Sequence, residues 1–195
     1  MKIVILGSGK GSNAYAILKS SSKKQLGNTI IQGIFSDYKN SGILSHGKDF
    51  GIHSEYIHAG DSYVLKEPFQ DNWISKIKQL NPDLIVLAGF MKIIKEKFIS
   101  AFNKKVINLH PSLLPSFPGL NSIKQAYEKK VKITGCTVHW VNETVDGGEI
   151  IAQEAVRIMN YDTLHTLTKK VHTAEHILLP SVIKGLSDGE IDFPS

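Results

Sequence analysis

Asn108 and His110 stand two residues apart in the stretch Asn108-Leu109-His110-Pro111-Ser112-Leu113-Leu114-Pro115. Side chains alternate along a strand, so an amide and an imidazole at this spacing project to the same side of it. Together they can donate hydrogen bonds to an oxygen that turns negative during acyl transfer. Just upstream, Lys105-Val106-Ile107 is a short run that reads as the end of a buried strand. The pair then falls at a strand's carboxyl end, where open parallel sheets carry their sites. A plainer reading exists, in which a proline-rich loop holds a histidine that only caps backbone groups. Asp146, in Asp146-Gly147-Gly148, is the candidate third member. An Asp before two glycines is commonly a turn former, but a carboxylate beside His110 would favour its imidazolium and relay protons.

A second constellation is Gly7-Ser8-Gly9-Lys10-Gly11-Ser12-Asn13. Glycines allow close backbone approach, and the amides of Gly11, Ser12 and Asn13 would open a helix facing outward. That is an anion site backed by the positive end of a helix dipole, and phosphate suits it. Two sharper readings fail on spacing. A Walker loop needs Gly-Lys-Ser/Thr, whereas Lys10 is followed by Gly11; the dinucleotide fingerprint needs a third glycine where Ser12 stands. Asp37, closing the second strand, keeps a dinucleotide reading in view. His172 and His176, four apart around Glu175, share a helix face, but the metalloprotease pattern needs Glu where Thr173 stands. No metal is expected. His46, His53 and His58 receive no role.

These residues need a frame to hold them. The 195 residues are 42% hydrophobic, enough for one substantial core and short for two, so one domain over 1–195 is expected. The pattern is apolar strand then amphipathic helix, repeated: strands at Lys2–Leu6, Thr29–Phe35, His53–Ile57, Asp83–Ala88 and Val106–Leu109, with helices near 13–23, 43–50 and 66–80. This alternation predicts an α/β, doubly wound, mostly parallel sheet. After about residue 130, Thr134–Val141 and Gly147–Ile158 read as a β-rich antiparallel addition, and Thr163–Lys184 as a C-terminal helix kinked or broken at Pro180. The single cysteine, Cys136, sits in an apolar run and reads as a core residue. No apolar run approaches a membrane span, and the opening strand is too short for a signal peptide, so a cytoplasmic protein is expected. A net charge of +5, spread through the chain, argues for small anionic ligands rather than nucleic acid.

Together, Ser8–Asn13, Leu87-Ala88-Gly89-Phe90-Met91, Asn108–Pro115, Asp146–Gly148 and Glu175-His176 make the chain resemble the phosphoribosylglycinamide formyltransferases, a folate-dependent family of purine synthesis. The resemblance covers nearly the whole chain and implies the formyltransferase fold. It implies formyl transfer from 10-formyltetrahydrofolate, the co-substrate, to the glycine amine of 5-phosphoribosylglycinamide, with Asn108, His110 and Asp146 as the catalytic trio. It puts the substrate on Gly11, Ser12, Asn13 and on His172, Thr173, Ala174 and Glu175, with Glu175 at the ribose. It puts the folate on Lys66, on Met91, Lys92, Ile93 and Ile94, on Asn108, and on Asn142, Glu143, Thr144, Val145 and Asp146. It also implies a cis bond before Pro115. Lys92 and Lys66 stand where members often carry Arg, and His172 where Gln is expected; a lysine keeps the charge but loses the planar fork for the folate glutamate carboxylates. Small-molecule partners, and a monomer or homodimer, are expected. The rivals are 10-formyltetrahydrofolate hydrolase, which usually carries an extra N-terminal domain, the longer methionyl-tRNA and sugar-nucleotide formyltransferases, and a non-catalytic nucleotide-binding protein.

Overall fold

The computed structural model describes residues 1–194; Ser195, the last residue of the expected domain, lies outside the described residues. The elements run β1 (Lys2–Leu6), α1 (Ser12–Ser22), β2 (Ile30–Ser36), α2 (Gly42–Asp49), β3 (Ser54–Tyr56), α3 (Phe69–Lys78), β4 (Leu84–Leu87), α4 (Glu96–Ala101), β5 (Val106–His110), α5 (Ser122–Glu128), β6 (Ile133–Trp140), β7 (Ile150–Arg157) and α6 (Leu164–Asp188). The strands form one seven-stranded sheet in the order β3-β2-β1-β4-β5-β6-β7. The first five pair in parallel. The last two are antiparallel additions on β5.

Strand alternation divides the apolar residues between two cores. Ile3, Ile5, Leu84, Val86, Ile107 and Leu109 pack with α1, α2 and α6 on one face. Val4, Leu6, Ile85, Leu87 and Val106 pack with α3 and α4 on the other. Every residue of β4 is therefore buried, which is why its sequence reads as an unbroken apolar run. Trp73 of α3 is fully buried, and its indole N–H donates to the His58 carbonyl at 3.2 Å, satisfying the one polar atom it carries inside.

Four helices depart from the sequence expectation. α4 and α5, of six and seven residues, are too short to display a helical period. α3 begins at Phe69 rather than near 66, because Pro68 disfavours helical geometry in the residue before it. α6 runs unbroken through Pro180. A proline inside a helix costs about 3 kcal/mol or more, and here Leu178, Leu179, Val182, Ile183 and Leu186 bury on the sheet around it, which outweighs that cost.

Candidate active site

The antiparallel addition is what builds the site. β6 lies beside β5 with Asn108 directly opposite His139, and His110 opposite Thr137. Asn108 and His110 share the strand parity of Val106, as two-residue spacing requires. His139, on β6, was not singled out by the sequence reading, yet it is 2% exposed and stands among the trio. Its Nδ1 donates to the Trp140 carbonyl at 2.8 Å, so its Nε2 carries a lone pair toward Asn108 Nδ2 at 3.2 Å in the neutral ring. That bond turns the Asn108 amide so that its second N–H remains available. Only the pairing of β6 with β5 reveals this; the one sequence signal was that His139 falls in a strand of otherwise apolar and small residues.

Asp146 closes the group from the loop between β6 and β7. One oxygen lies 3.3 Å from His110 Nδ1 and accepts from the Gly119 N–H at 2.7 Å; the other lies 3.8 Å from His139 Nε2. His110 Nε2 donates to the Phe117 carbonyl at 2.9 Å, so both nitrogens of this buried ring face acceptors. Burial pushes the Asp146 carboxyl up, but the Gly119 N–H and the charge of His110 outweigh it, the neutral His139 ring at 3.8 Å being too far to donate. The net effect holds the group below the usual carboxylate value, so it is an anion at neutral pH. Asp146 adopts φ 53°, in the left-handed region that Asp and Asn tolerate. Asn142 staples the turn, donating to the Gly147 carbonyl at 3.1 Å and accepting from the Thr144 N–H at 3.0 Å. Gly148 has no room for a side chain, since a Cβ would sit 1.6 Å from the Trp140 carbonyl oxygen.

The loop after β5 is anchored to the added strands. The Leu114 N–H donates to Thr137 Oγ1 at 3.1 Å, Thr137 Oγ1 donates to the Ser112 carbonyl at 2.7 Å, and Gln153 Nε2 of β7 donates to the Leu114 carbonyl at 2.9 Å. The bond before Pro115 is cis, as is the unforeseen one before Pro68. Across the sheet, α1 opens at Gly11, whose φ of 78° and close approach to the backbone of Ile43 exclude any side chain. The amides of the first turn have no intrahelical acceptor, which leaves an anion site at that helix end. Glu175 of α6 is 4% exposed, and Asn13 Nδ2 donates to it at 3.2 Å. Burial pushes its carboxyl up to about 7, against the pull of that one hydrogen bond.

Asn13, Met91, Lys92, Ile93, Ile94, Asn108, His110, Asn142 through Asp146, His172 and Glu175 all line one cavity of about 970 Å³, which His139 also borders. Lys66, Gly11, Ser12, Thr173 and Ala174 are not among its lining residues. Lys66 is exposed, Thr173 Oγ1 donates back to the Lys169 carbonyl, and Ala174 of α6 is buried in the core. Asp37 also lies outside it, just past β2. Among the described residues no group of three or more His, Cys, Asp or Glu side chains is placed to hold a metal, and no helix is long and apolar enough to cross a membrane.

A pair of donors and a buried carboxylate around one cavity, which Asn13 of α1 also reaches, make a group-transfer site on an α/β sheet. The family model for formyl transferase matches residues 1–183, and the chain belongs to that family. It is 37% identical to the phosphoribosylglycinamide formyltransferase of Bacillus subtilis, over 95% of this chain and 94% of that protein. It is 36% identical to the human trifunctional purine biosynthetic protein adenosine-3, over 97% of this chain and 19% of that protein. Its fold matches the crystal structure of glycinamide ribonucleotide transformylase 1 from Symbiobacterium toebii with a TM-score of 0.92 at 31% identity, covering 100% of this chain and 91% of that one.

Proposed function

We propose that residues 1–195 act as one formyltransferase domain that moves the formyl group of 10-formyltetrahydrofolate to the glycine amine of 5-phosphoribosylglycinamide, a step of purine biosynthesis. The observation that carries this reading is the convergence of Asn108, His110, His139 and Asp146 on one cavity also bordered by Asn13 and Glu175. The names of the similar proteins agree with it.

In this reading the phosphate sits on the first-turn amides of α1 and Glu175 takes the ribose hydroxyls. The segments 90–94 and 141–146, which line the cavity, would surround the pterin. The neutral amine attacks the formyl carbon and the carbonyl oxygen becomes an oxyanion. Asn108 donates its free N–H to it, and His110 donates through Nε2 once the Phe117 carbonyl yields or shares that proton. Removal of one such donor typically costs ~10²–10³ in rate. The attacking nitrogen then loses a proton and the folate nitrogen gains one, with Asp146, adjacent to His110, carrying the transfer; the oxyanion collapses to a carbonyl as the bond from the formyl carbon to the folate nitrogen breaks, releasing tetrahydrofolate. Holding both substrates in one cavity supplies the orientation.

The test is folate deformylation followed spectroscopically, with and without phosphoribosylglycinamide. Amine-dependent deformylation with formation of the N-formyl product is expected. Deformylation at the same rate without the amine would assign a hydrolase instead.

A further inference from the structure

Lys92 stands on the loop after β4, and its ammonium is already engaged. Nζ donates to the Gly60 carbonyl at 2.7 Å and to the Ser62 carbonyl at 2.8 Å. An ammonium has three N–H donors and no acceptor, so two of the three are spent on main chain, at charge-assisted distances. The same two segments are joined alongside: the Ile93 N–H donates to the Tyr63 carbonyl at 2.7 Å, the Leu65 N–H to the Ile93 carbonyl at 2.9 Å, and Val64 pairs with Ile93 in an isolated parallel bridge. Leu65 is 1% exposed beneath this contact, whereas Tyr63 is 76% exposed and borders the cavity. Residues 60–66 therefore form a strap whose inner side is sealed to the loop after β4 and whose outer side carries an aromatic ring at the cavity mouth.

The geometry points to Lys92 as a positioning residue that clamps this strap and so fixes one wall of the cavity, rather than as an anchor for a carboxylate of the formyl donor. A single remaining N–H cannot make the two-pronged contact by which a guanidinium holds a carboxylate. Without the clamp, the strap keeps two main-chain bonds at an exposed edge, and such segments open locally at low cost. The donor-side consequence rests on the folate reading above. The clamp itself does not.

Lys92→Met keeps the unbranched stem and removes all three donors. Amide hydrogen exchange across residues 60–66, measured on the protein alone, should then speed up by about tenfold while β1 and β4 exchange as before. In turnover assays the KM for the folate donor should rise by about tenfold, with kcat within about twofold. The decisive comparison repeats the KM ratio with a formylated tetrahydropterin donor that lacks the terminal glutamate. A clamp gives the same ratio with both donors; a carboxylate anchor gives a ratio that collapses to about one with the truncated donor. That collapse, or unchanged exchange at 60–66, would overturn the inference. If the unsubstituted protein turns over no folate donor at all, the functional reading fails while the exchange measurement still decides the clamp.

Discussion

His139 and Asn108 face each other across two strands, and the roles of both follow from that contact. With the His139 ring fixed by the Trp140 carbonyl, its Nε2 orients the Asn108 amide. His139→Leu should lower turnover by ~10² because the amide loses its orientation, with the protein still folded by circular dichroism. Asn108→Ala should cost a similar amount, and the double variant little more, since one residue acts through the other. Additive losses would mean that His139 acts on its own. Asp146→Asn probes the carboxylate, and Asn accepts the same left-handed backbone. We expect turnover to fall by ~10² or more. The folded carboxyl lies below its usual value, so its contribution to stability is complete above about pH 4 and is lost as pH falls through the folded value. The wild type should therefore lose stability on acidification that Asp146→Asn does not, in urea titrations at several pH values. Parallel stability curves would argue against this assignment. The shared facing of Asn108 and His110 was legible because spacing along a strand fixes it, whereas Asp146, on a different loop, was joined to them through the family resemblance. His139 was not, because cross-strand register leaves no trace in a single strand's sequence.

Elements carry the next level of argument, and α6 shows most clearly how packing overrides local rules. The proline rule predicts a kink or a break at Pro180, and burial of five neighbouring apolar residues keeps the helix continuous through it. The long periodic strands and helices were readable because alternation and the 3.6-residue period repeat several times within them; α4 and α5 are shorter than two such repeats. The same helix places Glu175 inside the protein with Asn13 as its hydrogen-bond partner. The folded state holds the Glu175 proton up to about pH 7, whereas an unfolded chain releases it near 4.5. Stability must then fall as pH rises through that window, by on the order of 3 kcal/mol once fully ionised. Glu175→Gln removes the titration, so it should exceed the wild type in thermal stability at pH 8, with the gap closing toward pH 4.5. It should also weaken binding of the ribosyl phosphate substrate, since an anion accepts hydroxyl bonds more strongly than an amide. An identical pH slope of melting temperature in both proteins would show that Glu175 ionises normally. A group that costs stability when empty and is kept buried fits a ligand contact better than a structural one.

At the scale of the whole molecule, the fold brings α1, α5 and α6 and the loops after β3, β4, β5 and β6 to a single cavity of about 970 Å³. Two routes of group transfer are open to such a site: direct transfer between two bound substrates, or a covalent formyl-protein intermediate. The second needs an activated nucleophile. The chain's one cysteine, Cys136, is fully buried, and burial followed by the charges of Glu175 and Glu154 pushes its thiol up to about 12. Ser122 borders the cavity, but its hydroxyl donates to the Pro111 carbonyl at 3.0 Å rather than to a base. Lys92 is held by two carbonyls, and both ring nitrogens of His110 face acceptors. These groups favour direct transfer, in which both substrates occupy the cavity together. Initial rates measured while varying both substrates should give intersecting double-reciprocal lines, and donor carrying a labelled formyl group should leave no label on the protein when the amine is withheld. Parallel lines, or label that survives denaturation and gel filtration, would mean that a side chain of this cavity carries the formyl group between substrates.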